Sequence, residues 1–88
     1  MDVDEAYRII KIPYVTEKTF SMIEKQNKLV FLVDDRATKR SIKEAVEKIY
    51  EVKVIKVNVL RTATGKKAYI TFSPDHPASE LASKLGVL

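Results

Sequence analysis

The stretch that decides the fold runs from Val52 to Phe72 and reads VKVIKVNVLRTATGKKAYITF. Its first half is rich in β-branched residues, and from Lys66 onward apolar residues alternate with lysine, tyrosine and threonine. Both patterns are typical of β-strands. The two halves are joined by Arg61 to Gly65, a short segment that contains a glycine and indicates a hairpin loop. We therefore predict two antiparallel strands that bury the Ala68, Ile70 and Phe72 side.

The alternation in the first strand of this hairpin changes phase. Val52 and Val54 share one parity, whereas Ile55, Val57 and Val59 share the other. A β-bulge inserts one extra residue into a strand and shifts its alternation in this way. We therefore predict a bulge near Val54 and Ile55.

Upstream of the hairpin, strands and helices alternate along the chain. Ile9 to Ile12 is predicted to be a short strand that stops at Pro13. Leu29 to Val33 is apolar at every position, which predicts a central strand with helices on at least one face and apolar cover on the other.

Capping residues and apolar spacing predict three helices. Thr16 and Thr38 are placed as N-caps of two helices that end near Asn27 and Tyr50, and Pro77 is placed at the start of the third. The predicted order is β-α-β-α-β-β-α. Because the last two strands form a hairpin, we expect an α+β sandwich with a mostly antiparallel sheet packed with helices.

Length and composition set the outer limits. Eighty-eight residues are expected to form one domain spanning 1–88, and 45% hydrophobic with 32% charged residues is typical of a globular chain. The chain has no cysteine, which excludes disulfides, thiolate zinc sites and cysteine nucleophiles. Its longest apolar run, Leu29 to Val33, is far shorter than the roughly 20 residues of a membrane span. We expect a soluble cytoplasmic protein without membrane insertion.

The formal net charge of +4 is concentrated in one segment. Val52 to Pro74 contains five lysines and arginines and no Asp or Glu, whereas the rest of the chain is close to neutral. Clustered lysine and arginine attract polyanions through counterion release, which favours a nucleic-acid partner. A basic hairpin that only faces solvent is the alternative. The acidic start, Asp2 to Glu5, is expected to point away from any nucleic acid.

Residues for catalysis or metal binding are scarce. The only histidine, His76, has no nucleophile placed with it, and Gly65 and Gly86 stand alone rather than in a phosphate loop. Asp34 and Asp35 lack the further oxygen ligands of a calcium loop. We expect no enzyme activity, no metal and no cofactor, with a small phosphate-handling enzyme kept as the weaker alternative.

Two regions carry residues suited to RNA. In the hairpin, Tyr69 could stack on a base or a sugar while neighbouring lysines meet phosphates, or it could simply pack against the next strand. A second basic cluster, from Arg36 to Lys43, opens the central helix, where free backbone amides also favour a phosphate.

Lys66 to Phe72 superficially resembles the basic-aromatic strand of an RNA-recognition motif. The glycine of that motif is absent, and Ile9 to Ile12 supplies no aromatic residue to complete a base-stacking platform. We therefore expect structured RNA to be recognised mainly through its backbone and shape.

An ordered set of motifs is similar to the universal L23 family of large-subunit ribosomal proteins. The resemblance runs from about Ile9 to Leu85. It is carried by Pro13 to Lys18 (PYVTEK), Arg36 to Lys39 (RATK), Ala45 to Glu47 (AVE), Val52 to Asn58 (VKVIKVN) and Lys66 to Ile70 (KKAYI).

The resemblance implies a structural protein bound to large-subunit rRNA near the polypeptide exit tunnel, beside ribosomal protein L29. It further implies that signal recognition particle and nascent-chain factors dock on the same region, with Glu17 as the docking carboxylate. Arg61 to Gly65 is too short to be the tunnel-entering tip of bacterial members, so the archaeal type fits better.

These arguments give a set of expected RNA contacts on a ribosome-bound protein. A free-standing RNA-binding regulatory module is the alternative. The segment Arg61 to Lys67 is expected to be mobile without RNA, because few apolar groups anchor it. The expected contacts are Lys11, Lys18, Arg36, Thr38, Lys39, Arg40, Lys43, Lys56, Asn58, Arg61, Lys66, Lys67 and Tyr69.

Overall fold

Four strands and four helices make up residues 1–87, the part of the chain that the computed structural model describes. The elements are α1 (Val3–Ile9), β1 (Ile10–Pro13), α2 (Glu17–Gln26), β2 (Lys28–Val33), α3 (Lys39–Tyr50), β3 (Val54–Thr62), β4 (Gly65–Phe72) and α4 (Ala78–Lys84).

The strands form one sheet in the order β1-β2-β4-β3, and every neighbouring pair is antiparallel. A single buried cluster contains residues from all four helices together with Leu29, Phe31 and Val33 of β2 and Ala68 and Ile70 of β4. Because these β2 and β4 residues point to the same side, the helices all pack on that side. The α+β sandwich with an antiparallel sheet is confirmed. The opposite side is called the open face below, and no helix within residues 1–87 covers it.

The hairpin has the predicted bulge and a tighter turn than predicted. The register between β3 and β4 shifts between Val54 and Lys56, which confirms the bulge. Thr62 pairs with Gly65, so the strands extend into the segment predicted to be loop and only two residues form the turn. Gly65 has a φ of +126°, a backbone conformation that side chains with a Cβ rarely adopt.

The bulge is held by the side chain of Glu47, a contact that the local sequence does not predict. Glu47 Oε2 of α3 accepts a hydrogen bond of 2.9 Å from the Val54 backbone N–H. A bulge leaves backbone groups outside the strand ladder, and here a helix side chain satisfies one of them. Glu47 is therefore a structural residue.

The first helix is absent from the sequence-based prediction, which placed Ile9 at the start of a strand. α1 begins after Asp2, whose carboxylate accepts a 2.8 Å hydrogen bond from the Glu5 backbone N–H, and Ala6 is completely buried. The acidic start was interpreted only as charge. An acidic N-cap followed by acids in the first turn is also a helix-start signal, because it complements the helix dipole.

The two central helices confirm their predicted starts. Thr16 caps α2 and Thr38 caps α3, and each makes a reciprocal capping box with the third helical residue, Thr19 or Ser41. The apolar spacing that predicts α3 is also confirmed. Ile42, Ala45 and Val46 form a buried stripe, and Ile49 and Tyr50 pack against the core.

Asn27 ends α2 in the left-handed region, with a φ of 52°. Its side-chain Nδ2 donates to the Phe72 carbonyl at 2.9 Å, and its Oδ1 accepts from the Ala78 backbone N–H at 2.6 Å. Pro77 was expected to be the first helical residue of α4 but is its N-cap, and it has no side-chain acceptor to offer. Asn27 supplies that acceptor from another element.

Candidate nucleic-acid interface

The predicted RNA contacts divide between two surfaces. The first surface, called the hairpin-end surface, combines the β3-β4 hairpin end with the turn and first half of α3. It includes Arg36, Thr38, Lys39, Arg40, Lys43, Arg61 and Lys66. The second surface is the open face, where the β4 and β3 register places Lys56, Asn58, Lys67 and Tyr69.

Two predicted residues lie outside both sets. Lys11 is exposed in β1 and close enough to Asp34 to influence that carboxyl group. Lys18 is exposed in the first turn of α2, next to Glu17. Lys11 is therefore adjacent to the hairpin-end surface, whereas Lys18 belongs to the region expected to dock factors.

Two polar contacts join the hairpin end to the turn before α3. Lys66 Nζ donates to the Ala37 carbonyl at 2.6 Å, and Arg61 Nη2 donates to the Asp35 carbonyl at 3.2 Å. Arg61 Nη1 also lies 3.7 Å from Asp35 Oδ1. The hairpin thus has polar anchors that apolar patterning could not reveal. The mobility of Arg61 to Lys67 without RNA stays a prediction.

The turn before α3 is organised around Asp34. Asp34 Oδ1 accepts hydrogen bonds from the Arg36 backbone N–H at 2.8 Å and from Arg36 Nε at 3.3 Å. These bonds, the backbone bond foremost, lower the pKa of Asp34, and the nearby Lys11 acts in the same direction. Arg36 is therefore partly neutralised by a neighbouring carboxylate.

The cations of the first α3 turns are more available than Arg36. Lys39, Arg40 and Lys43 are exposed, and none of them forms an ion pair within residues 1–87. Thr38, by contrast, uses its hydroxyl oxygen to accept the Ser41 backbone N–H at 3.1 Å. The three basic side chains are the part of this surface most ready to meet phosphate, while Thr38 holds the helix start.

The open face carries polar and apolar side chains that no helix of the described part of the chain covers. Lys67 Nζ lies 3.8 Å from the centroid of the Tyr14 ring, a cation–π contact. Tyr14 and Lys28 were both absent from the predicted contacts. The alternation Lys28, Val30, Leu32 would have indicated Lys28, since residues two apart share a face.

Glu17, the expected docking carboxylate, stands exposed in the first turn of α2. Val15 and Phe20, on either side of it in sequence, are 48% and 44% exposed. Their spacing is that of a hydrophobic staple, but about half of each side chain stays open to solvent. The helix start therefore offers one acidic group among apolar surface.

The remaining polar features are His76 and a cleft beside α1. His76 Nδ1 accepts a hydrogen bond from the Lys53 backbone N–H at 3.3 Å, and no metal-binding group of three His, Cys, Asp or Glu residues occurs in residues 1–87. A cleft of about 420 Å³ between α1 and the start of α3 is lined by Glu5, Arg8, Asp34 and Arg36, among others. Across the same range, each helix is too short or too polar to cross a bilayer.

These features describe a small α+β protein with a basic surface built from a hairpin and a helix start. The family model of ribosomal protein L23 matches residues 8–79. The large ribosomal subunit protein uL23 of the archaeon Methanococcus aeolicus is 44% identical over 84 residues, covering 94% of this chain and 98% of that protein. The chain belongs to the ribosomal protein L23 family, which is not a family of enzymes.

Proposed function

We propose that this ribosomal protein is a structural constituent of the large ribosomal subunit and binds large-subunit rRNA through its hairpin-end surface. The observation that carries the proposal is the pair of contacts from Lys66 to Ala37 and from Arg61 to Asp35. These contacts bring the hairpin, which contains no Asp or Glu, next to the basic start of α3. Two basic clusters that are far apart in sequence therefore form one positively charged surface for the phosphates.

The chemistry of this surface suits backbone recognition. Lys39, Arg40 and Lys43 have flexible, exposed ammonium and guanidinium groups, which contact phosphates without reading bases. Glu44, also exposed, follows directly and limits how far a polyanion extends along α3. The RNA therefore contacts the beginning of α3 and the adjoining hairpin end.

A second part of the proposal concerns the start of α2. Here Glu17, with Val15 and Phe20 beside it, receives signal recognition particle and other nascent-chain factors near the exit tunnel, and ribosomal protein L29 is the neighbour in the subunit. Support comes from the exposure of this acidic and apolar group and from the family. On this proposal the protein works in the cytoplasm, on the ribosome.

RNA binding is tested with a large-subunit rRNA fragment and an unrelated RNA of equal length over a range of salt. Lys39→Glu should weaken binding by roughly 10-fold or more and reduce the salt slope by about 1, since one phosphate contact is lost. Lys48→Glu, the same change on an exposed residue at the other end of α3, is the matched control and should change little. Equal affinity for both RNAs would contradict specific rRNA binding.

Factor docking is tested with Glu17→Ala. The variant should bind the rRNA fragment like the wild type and bind an exit-site factor less well. Loss of RNA binding in a folded Glu17→Ala protein would contradict this division of the surface. Cofractionation with large subunits from low to high salt separates a subunit constituent from a free regulatory module, which would sediment apart from ribosomes.

A further inference from the structure

We propose that the open face of the sheet is a second RNA site, where an unpaired base stacks on Tyr69 and Lys67, positioned by Tyr14, contacts the adjoining phosphate. This inference rests on the proposed rRNA-binding function and names the form of RNA that the open face receives. It assigns a role to Tyr14, which lies outside the residues considered for the hairpin-end surface.

The first observation is a row of side chains across the sheet. Val30 pairs with Tyr69, which pairs with Asn58. The Tyr14 backbone N–H donates to the Val30 carbonyl at 2.8 Å, so Tyr14 continues the β1 register one residue beyond the strand. The two tyrosines therefore flank Val30 on the open face.

The burial of Val30 shows how these side chains lie. Val30 is only 2% exposed although no helix covers this face. We infer that its neighbours on this face cover it, and the two side chains beside it in the row are the partly exposed tyrosines Tyr14 and Tyr69. On this inference the Tyr69 ring lies over Val30 with its outer surface toward solvent, which is the geometry on which a base stacks.

The second observation is the charge of this face. The strand register places Lys28, Lys56 and Lys67 on it, and none of its paired positions within residues 1–87 is Asp or Glu. Positive charge without compensation favours a polyanion.

The third observation is apolar surface at the same place. The register joins Ile12 to Leu32, Leu32 to Lys67 and Lys67 to Leu60, and Ile12 and Leu60 are 57% and 52% exposed. Phosphates do not need apolar contacts, and a duplex keeps its base faces stacked inside. Unpaired nucleotides present phosphates and base faces together, so they match this combination.

Tyr14 holds the Lys67 side chain in position. The cation–π contact of 3.8 Å restrains a side chain that would otherwise sample many rotamers. Lys67 belongs to the row next to Tyr69 on the same face, and its ammonium is held over Tyr14 on the far side of Val30. There it can meet the phosphate next to a nucleotide stacked on Tyr69. Tyr14 also supplies the aromatic residue that β1 itself lacks, which changes the expectation that only RNA backbone and shape are recognised.

The test uses a short RNA hairpin with one unpaired adenosine in its stem and the same hairpin fully paired. The wild type should prefer the bulged hairpin, and Tyr69→Leu should remove the preference by weakening bulged binding roughly 5- to 100-fold. Tyr69→Phe keeps the ring and should keep the preference. Tyr7→Leu removes an exposed tyrosine of α1 and is the matched control.

The role of Tyr14 has its own readout. Tyr14→Phe retains the cation–π contact and should bind the bulged hairpin like the wild type. Tyr14→Leu should lower the salt slope by about as much as Lys67→Met does, because both lose one phosphate contact. Unequal slopes for these two variants would overturn the positioning role. Circular dichroism and thermal unfolding establish that each variant is folded.

Three outcomes would overturn the proposal. They are equal binding of the two hairpins, a preference that Tyr69→Leu leaves intact, and Tyr69 ring NMR signals that do not shift with the bulged hairpin. If Ile12→Ser instead weakened incorporation into subunits without changing RNA affinity, the face would bind protein. Failure of the wild type to bind the rRNA fragment would contradict the proposed function. The comparison of the bulged and paired RNA hairpins would still test the open face by itself.

Discussion

Asn27 and Ala78 are joined by a hydrogen bond of 2.6 Å between the Asn27 side-chain oxygen and the Ala78 backbone N–H, across a sequence separation of 51 residues. The same side chain donates to the carbonyls of Phe72 and Ser73 at 2.9 and 3.2 Å. The end of α2, the end of β4 and the start of α4 thus meet at one amide. This junction fixes α4 against the rest of the fold.

Replacing Asn27 should separate its side-chain role from its backbone role. Asn27→Gly retains the positive φ but loses the side-chain hydrogen bonds, and we expect a loss of about 2 kcal/mol in the free energy of unfolding. Asn27→Ala should lose about 1 kcal/mol more, because alanine is strained at this φ. Urea unfolding measures both. If Asn27→Gly were as stable as the wild type, the side-chain hydrogen bonds would contribute nothing to the free energy of unfolding.

Glu47 should matter more than its neighbour on α3. Glu47→Ala leaves the Val54 N–H at the bulge without its acceptor, and we expect a loss of about 1–3 kcal/mol. Glu47→Gln keeps an oxygen acceptor and should cost less. Glu44→Ala, on an exposed residue of the same helix, is the control and should stay within about 0.5 kcal/mol of the wild type. Equal effects at the two positions would contradict a structural role for Glu47.

Asp34 should make folding stability depend on pH in the acidic range. Its pKa is lowered in the folded protein, so its contribution to stability is fully present above the ordinary aspartate pKa of about 3.9 and is lost as the pH falls through the lowered value. Carboxyl NMR titration should find the lowered pKa in the wild type and a value closer to ordinary in Arg36→Ala. In Arg40→Ala it should remain as in the wild type. The backbone N–H of residue 36 still donates to Asp34 in Arg36→Ala, so part of the lowering should remain. A pKa equal to that of the wild type would contradict a contribution from the Arg36 side chain.

The anchored hairpin end should be visible in amide exchange without RNA. Lys66→Met removes the bond to the Ala37 carbonyl and should speed exchange at Thr62 to Gly65 and in the turn before α3. Lys56→Met removes an exposed lysine of β3 and should leave these amides unchanged. Equally fast exchange in the wild type and in Lys66→Met would restore the picture of a mobile segment.

Elements with strong periodicity were predictable, because apolar spacing alone specifies them. The α3 stripe from Ile42 to Tyr50, the alternation of β4 and the phase change at Val54 all gave correct structure. α1 was missed because its seven residues include two acids and an arginine and so give a weak apolar signal, although Asp2 is a clear N-cap.

Contacts between distant residues were beyond reach of any local pattern. The hydrogen bonds of Lys66 to Ala37 and of Asn27 to Ala78 depend on how the elements pack. The sequence around Lys66 or Asn27 therefore does not predict them. The same holds for the open face. Tyr14 follows the end of β1 in sequence, and only the pairing of its backbone with Val30 shows that it belongs with Tyr69.

The sheet order also affects how prone the free protein is to aggregate before it joins the ribosomal subunit. The two outer strands, β1 and β3, expose edges to which another strand could add, yet β1 is four residues long and ends in Pro13, and both strands have irregular registers. β3 further displays Lys56 and Arg61, and charged side chains on an edge discourage aggregation. Basic side chains that we propose to contact RNA thus also disfavour edge-to-edge pairing between free chains.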